Sequence, residues 1–99
     1  MDPNEAARTL ERELERGREL IAAAGTLEAF DEAKIALLGR KAPISAVQSS
    51  IGSLPGDARR ELGRRTNEAF AELRSALEAR RAELEEGARS VLRMLARGE

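Results

Sequence analysis

The sequence predicts an all-α chain: an antiparallel helical hairpin, or coiled-coil arm, with a short helix at its tip. Three observations predict it. Ala, Glu, Leu, Lys and Arg make up 63 of the 99 residues, the composition of long helices and coiled coils. Apolar residues recur at heptad spacing along two stretches of nearly equal reach. Only two residues are aromatic, both Phe, too few for the pleated faces of a sandwich. A chain of this length is one domain.

The first helix is expected over about 3–24. Asp2 is the N-cap, Pro3 suits the first helical position, and Glu5 completes a capping-box pattern. Ala7, Leu14 and Ile21 recur every seven residues, with Leu10, Gly17 and Ala24 three further on, a seam weakened by its small members. Gly25 fits the position after the helix end. Thr26 caps a second helix, 27–38, with Leu27, Phe30, Ala33, Leu37 and Leu38 near one face, and Gly39 stops it. The tip then runs from Gly39 to Gly56. It holds a short helix, 43–51, with Ile44, Val47 and Ile51 on one side, and Gly52, Pro55 and Gly56 punctuate the exit.

The last helix is expected over about 57–96, with Phe70, Leu77, Leu84 and Val91 in heptad register; Arg80 and Gly87 interrupt the adjoining seam. Some forty helical residues span about 60 Å, and a helix that long needs a partner. The first two helices end to end have the same length, so the chain is expected to fold back on itself. That register sets Ala7 by Val91, Leu14 by Leu84 and Ile21 by Leu77. Leu92, Met94 and Leu95 form an apolar end, and the isolated domain is expected to pair as a homodimer through this end or through the flanks of the stem.

Several chemistries are excluded. Without Cys or His there is no disulfide, thiolate nucleophile, imidazole metal site or Ser–His–Asp triad. Adjacent Glu85 and Glu86 do not share a helix face, so they suggest no acid–base pair. No apolar run has the length of a membrane span and no signal peptide is evident, so no membrane partner and a cytoplasmic location are expected. No catalytic residue, metal site or cofactor is assigned to this chain.

Charge is segregated. The net charge of −1 conceals a basic tip: residues 39–66 carry Arg40, Lys41, Arg59, Arg60, Arg64 and Arg65 against Asp57 and Glu61. These six are the candidate phosphate-binding residues. For Arg64, pairing with Glu61 or Glu68 on the same helix is the alternative. Gly39 is expected to supply a left-handed turn conformation. Gly63, inside a helix, is expected to admit a close approach of the tip segment, and Asn67 to bond either a loop backbone or water.

The ordered set Thr26-Leu27-Glu28-Ala29-Phe30, Leu37-Leu38-Gly39-Arg40-Lys41, Ile51-Gly52-Ser53-Leu54-Pro55, Arg59, Gly63, Asn67-Glu68 and Ala79-Arg80-Arg81-Ala82-Glu83-Leu84 resembles the N-terminal domain of the alpha subunit of bacterial phenylalanyl-tRNA synthetase. The resemblance covers roughly residues 10 to 86. Ala42 stands where that family usually has Gly, and Gly56 where it has Pro or Leu. The resemblance implies a tRNA-binding arm, with Arg40, Lys41, Arg59, Arg60, Arg64 and Arg65 on the tRNA and Gly39, Gly52, Pro55, Gly63 and Asn67 shaping the turns. It also implies partners outside this chain: a catalytic domain using ATP and magnesium, and a beta subunit. The competing expectation is a stand-alone helical hairpin that serves protein interaction, which bare heptads fit equally well.

Overall fold

A computed structural model describes residues 1–98. It is all-α, with four helices: α1 (Pro3–Ala23), α2 (Leu27–Leu38), α3 (Pro43–Ser50) and α4 (Gly56–Ala96), and a single 3₁₀ turn, Ile51–Ser53, before α4. The molecule is a rod of 64 × 19 × 18 Å, and α4 runs its whole length without a break at Gly87.

Local chemistry sets the helix starts. The Glu5 backbone N–H donates to Asp2 Oδ1 at 2.8 Å, and that bond holds the Asp2 carboxyl below the usual carboxylate range. The Ala29 N–H donates to Thr26 Oγ1 at 3.0 Å. Pro43 opens α3 at a position where no N–H is needed.

The register differs from the expected one. Glu11 meets Arg65, Arg18 meets Glu72, and the Ala24 carbonyl meets Arg80. Residue numbers rise together on both helices, so α1 runs parallel to α4. It is α2 that lies antiparallel: Arg16 Nη2 donates to the Ala36 carbonyl at 3.0 Å, and Leu37 flanks Gly17 beside Leu73. α2 and α3 together return the chain to its start, where the Ser50 hydroxyl lies 3.9 Å from Met1 Sδ.

The arm is therefore a three-layered bundle along the first two thirds of α4. Of the three expected pairs, Ile21 lies level with Leu77. Leu14 instead lines a groove with Glu68 and Ala69, and Val91 is exposed. The cause is twofold. A heptad stripe defines which face is apolar but not which way its partner runs. The buried face of α1 is also wider than a two-helix seam, because Thr9 and Glu13 are buried next to Ala6, Leu10, Gly17 and Ile21. It takes a neighbour on each side. The reversal is made by extended backbone at Ala24 and Thr26, not by a left-handed Gly25.

The core contains Leu10, Leu37, Ile44, Val47 and Leu73, each 2% exposed or less. Gly17 is its narrowest point. A Cβ there would overlap the Leu73 side chain and touch two Leu37 methyls at 3.5 Å. What reads in the sequence as a weak seam position is the crossing point of three helices. Buried Glu13 is held by a two-pronged bond from Arg16, at 2.8 and 2.7 Å. Thr66 satisfies its hydroxyl on the Leu62 carbonyl at 2.6 Å.

Candidate nucleic-acid interface

The six tip cations divide into three settings. Arg40 and Lys41 occupy the turn between α2 and α3, both exposed. That turn is fixed by the Ala42 N–H and the Ser45 hydroxyl, which donate to the Gly39 carbonyl at 3.0 and 2.9 Å. Arg59 and Arg60 sit on the opening turns of α4, also exposed. None of these four has an ion-pair partner among the described residues. Arg64 and Arg65 are paired. Arg64 binds Glu61 and, at 2.7 Å, Glu68; its hydrogen bond holds the Glu61 carboxyl below the usual carboxylate range. Arg65 meets Glu11 at 3.3 Å.

The four unpaired cations lie at two levels. Leu37 is level with Leu73, and Arg40 follows one turn later, so by helical rise the Arg40–Lys41 pair stands roughly 15 Å along the rod from Arg59 and Arg60. The expected tip is corrected accordingly. Only the stretch from Ile51 to Gly56 forms the end of the rod, closed by buried Leu54, with its N–H on the Ile51 carbonyl at 3.1 Å. α3 lies along the bundle instead of capping it, because Ile44 and Val47 are completely buried.

The glycines also depart from expectation. Gly39 has φ −71° and ψ 171°, an extended conformation open to any residue. Its requirement is space: a Cβ would lie 2.5 Å from the Ile35 carbonyl oxygen, the atom that accepts the Gly39 N–H. No segment approaches Gly63, where a Cβ would meet nothing within 4 Å, and the same is true of exposed Gly52. Pro55 precedes α4 in extended backbone. Asn67 is exposed and makes no side-chain hydrogen bond among the described residues.

The fold adds two cations that no clustering in the sequence signals. Lys34 of α2 and Arg74 of α4 line one groove with Phe30, Leu38 and Leu77. Arg74 lies over the Phe70 ring, 5.3 Å from its centroid. They are 40 residues apart in the chain, so only the antiparallel packing of α2 on α4 places them together, beside the turn that carries Arg40 and Lys41. Arg80 is a third residue whose role sequence reading misses: its Nε donates to the Ala24 carbonyl at 3.0 Å, a cation at the C-terminal end of α1 where the helix leaves its carbonyls unpaired.

A helical rod with exposed cations on one flank and one end is the class that the fold defines. The family described as aminoacyl tRNA synthetase class II, N-terminal domain, matches residues 25–91; the chain belongs to this family. The particular relatives are alpha subunits of phenylalanine–tRNA ligase. That of Thermobifida fusca is 41% identical over 86 residues, covering 87% of this chain and 22% of the relative. That of Geobacillus thermodenitrificans is 41% identical over 75 residues, covering 75% and 22%. That of Methylococcus capsulatus is 36% identical over 75 residues, covering 76% and 22%. The chain thus spans about one fifth of the length of the curated relatives it matches. No solved structure matches it. No helix among the described residues is long and apolar enough to cross a membrane.

Proposed function

We propose that this chain is a tRNA-binding arm, which positions tRNA for aminoacylation carried out by a catalytic domain that uses ATP and magnesium, alongside a beta subunit. The observation that carries the reading is the state of the cations. Arg40, Lys41, Arg59 and Arg60 are exposed and have no ion-pair partner among the described residues, as do Arg8 and Arg12 of α1, whereas Arg18, Arg64, Arg65, Arg81, Arg89 and Arg93 are engaged with carboxylates. Unpaired guanidinium groups on a rigid frame meet phosphates without first breaking an ion pair. Lys34 and Arg74 extend the same flank. The family and the tRNA ligase relatives support RNA as the polyanion.

Such contacts position the RNA and carry little sequence information. The test is tRNA binding across a salt series. With three or four cations engaged, log K against log salt falls with a slope of roughly −2 to −4. Absence of binding at low salt, or binding indifferent to salt, overturns the reading.

A further inference from the structure

The groove between α2 and α4 holds more than two cations. It has a volume of about 250 Å³, an apolar floor of Phe30, Leu38 and Leu77, and a charged rim that adds Glu78 and Arg81 to Lys34 and Arg74. Arg81 is neutralised by Glu85 at 2.9 Å. Lys34, Arg74 and Glu78 are exposed and have no ion-pair partner among the described residues, not even one another. Arg74 and Glu78 stand four residues apart on α4, the spacing of an ordinary helical ion pair. Phe70 keeps them from forming one. The Arg74 guanidinium lies over its ring, 5.3 Å from the centroid, one turn back along α4 in the direction that helical side chains lean. The groove therefore presents two free cations, one from each helix, and one free carboxylate.

We infer that this groove holds the ribose–phosphate backbone of RNA, with a phosphate against Lys34 and Arg74 and the 2′-hydroxyl of a neighbouring ribose donating to the Glu78 carboxylate. This assignment rests on the tRNA-binding reading above and places on the rod a point where RNA is told from DNA. The chemistry of the rim selects the occupant. Lys34 and Arg74 only donate and ionised Glu78 only accepts, so the set fits a ligand with an anion and a hydroxyl donor side by side. A ribose–phosphate strand carries both at every step, and the 2′-hydroxyl and phosphate are what proteins contact on double-stranded RNA. DNA brings phosphate beside Glu78 with no hydroxyl to offset it, and an acidic peptide brings carboxylates there.

Base stacking does not fit the same groove. Phe30 is 3% exposed and Phe70 9%, and Arg74 covers the Phe70 ring, so no aromatic face is offered to a base. The groove is also continuous with the cationic turn, because Leu38 on its floor leads through Gly39 into Arg40 and Lys41.

Binding of a tRNA transcript and of a DNA copy of the same sequence, measured side by side, tests the inference. The parent chain is expected to prefer RNA by about fivefold, the contribution of one hydrogen bond. Glu78→Ala is expected to tighten DNA binding, because a negative charge leaves a phosphate site, but not RNA binding, so the preference disappears. Lys34→Gln/Arg74→Gln, which keeps an aliphatic stem beside Phe70, is expected to weaken both and to reduce the salt slope by about 1–2. Melting midpoints should stay near the parent's, since all three side chains are exposed. No RNA preference in the parent, or Glu78→Ala tightening RNA and DNA equally, overturns the inference and leaves Glu78 a solvated acid. If Lys34→Gln/Arg74→Gln leaves tRNA binding unchanged while Arg40→Ala/Lys41→Ala weakens it, the groove does not touch RNA and the arm reading alone stands; an acidic protein partner at the groove gives this same result. A parent chain that binds no tRNA at low salt overturns both.

Discussion

Arg80 reaches from α4 to the carbonyl of Ala24, 3.0 Å from its Nε, and binds Glu83 on its own helix at 3.0 Å. It occupies a core-seam position in the heptad, yet its charge is the part that is used. The aliphatic stem covers the end of the bundle while the guanidinium closes the last turn of α1. The Arg80→Ala variant is expected to lose about 1–2 kcal/mol of stability, visible as a lower denaturation midpoint. α1 should fray at its C-terminal end in hydrogen exchange while the amides around Leu10 stay protected. Uniform loss of protection along α1 would show that the bond holds no particular end.

Two glycines in helix interiors should respond in opposite directions. Gly17→Val places branches into the space of Leu73 and Leu37 and is expected to destabilise by about 1–3 kcal/mol. Gly63→Ala adds a methyl where nothing lies within 4 Å and is expected to stabilise by up to about 1 kcal/mol. Thermal melts of the two variants give the comparison directly, and equal shifts in one direction would contradict the packing at Gly17.

These two residues also show what was legible in the sequence. Composition and periodicity were sufficient for an all-α arm with a long last helix, and Asp2 and Thr26 could be read as caps because their chemistry is local. The direction of α1 was not legible. Its heptads describe a stripe, and a stripe is the same whether its partner runs up or down. The sense was decided by the three-residue reversal at Ala24–Thr26 and by the width added by Thr9 and Glu13. For the same reason the basic residues could be listed from the sequence, but not their levels on the rod, nor the company of Lys34 and Arg74.

Acid should loosen the arm through three exposed carboxylates. Asp2 is held low by the Glu5 N–H, Glu61 by Arg64, and Glu86 by Arg93 and then Arg89. A depressed folded-state pKa means a contribution fully present above the ordinary carboxylate range and lost as pH falls through the depressed value. The melting temperature is therefore expected to fall as pH drops below about 4. Asp2→Asn retains a capping oxygen and removes the charge, so it should melt like the parent at neutral pH and lose less on acidification. An equal acid loss in parent and variant would remove Asp2 from this account.

For the RNA-facing flank, Arg40→Ala/Lys41→Ala is expected to weaken tRNA binding and reduce the salt slope by about 1–2, similarly for all tRNAs. Helicity should not change, because both residues sit in a turn between helices. Arg89→Ala/Arg93→Ala, on the far part of α4, is the control and should leave the slope as it is. Equal binding by the two double variants would reduce the Arg40–Lys41 turn to a solvated surface.

An uninterrupted α4 also acts as a ruler with a phase. Whatever touches Arg59 and Arg60 is held at a fixed distance from whatever joins the residues around Ala96, about 1.5 Å per residue, and at a fixed angle, because each residue turns the helix by about 100°. A single residue inserted between Gly87 and Ser90 would leave the bundle intact yet swing the cationic flank a quarter-turn or more about the axis relative to the far end. Seven inserted residues would lengthen the rod by two turns and bring the flank back to within about 20° of its original bearing. Orientation along this arm is thus stored in the count of residues in its barest segment.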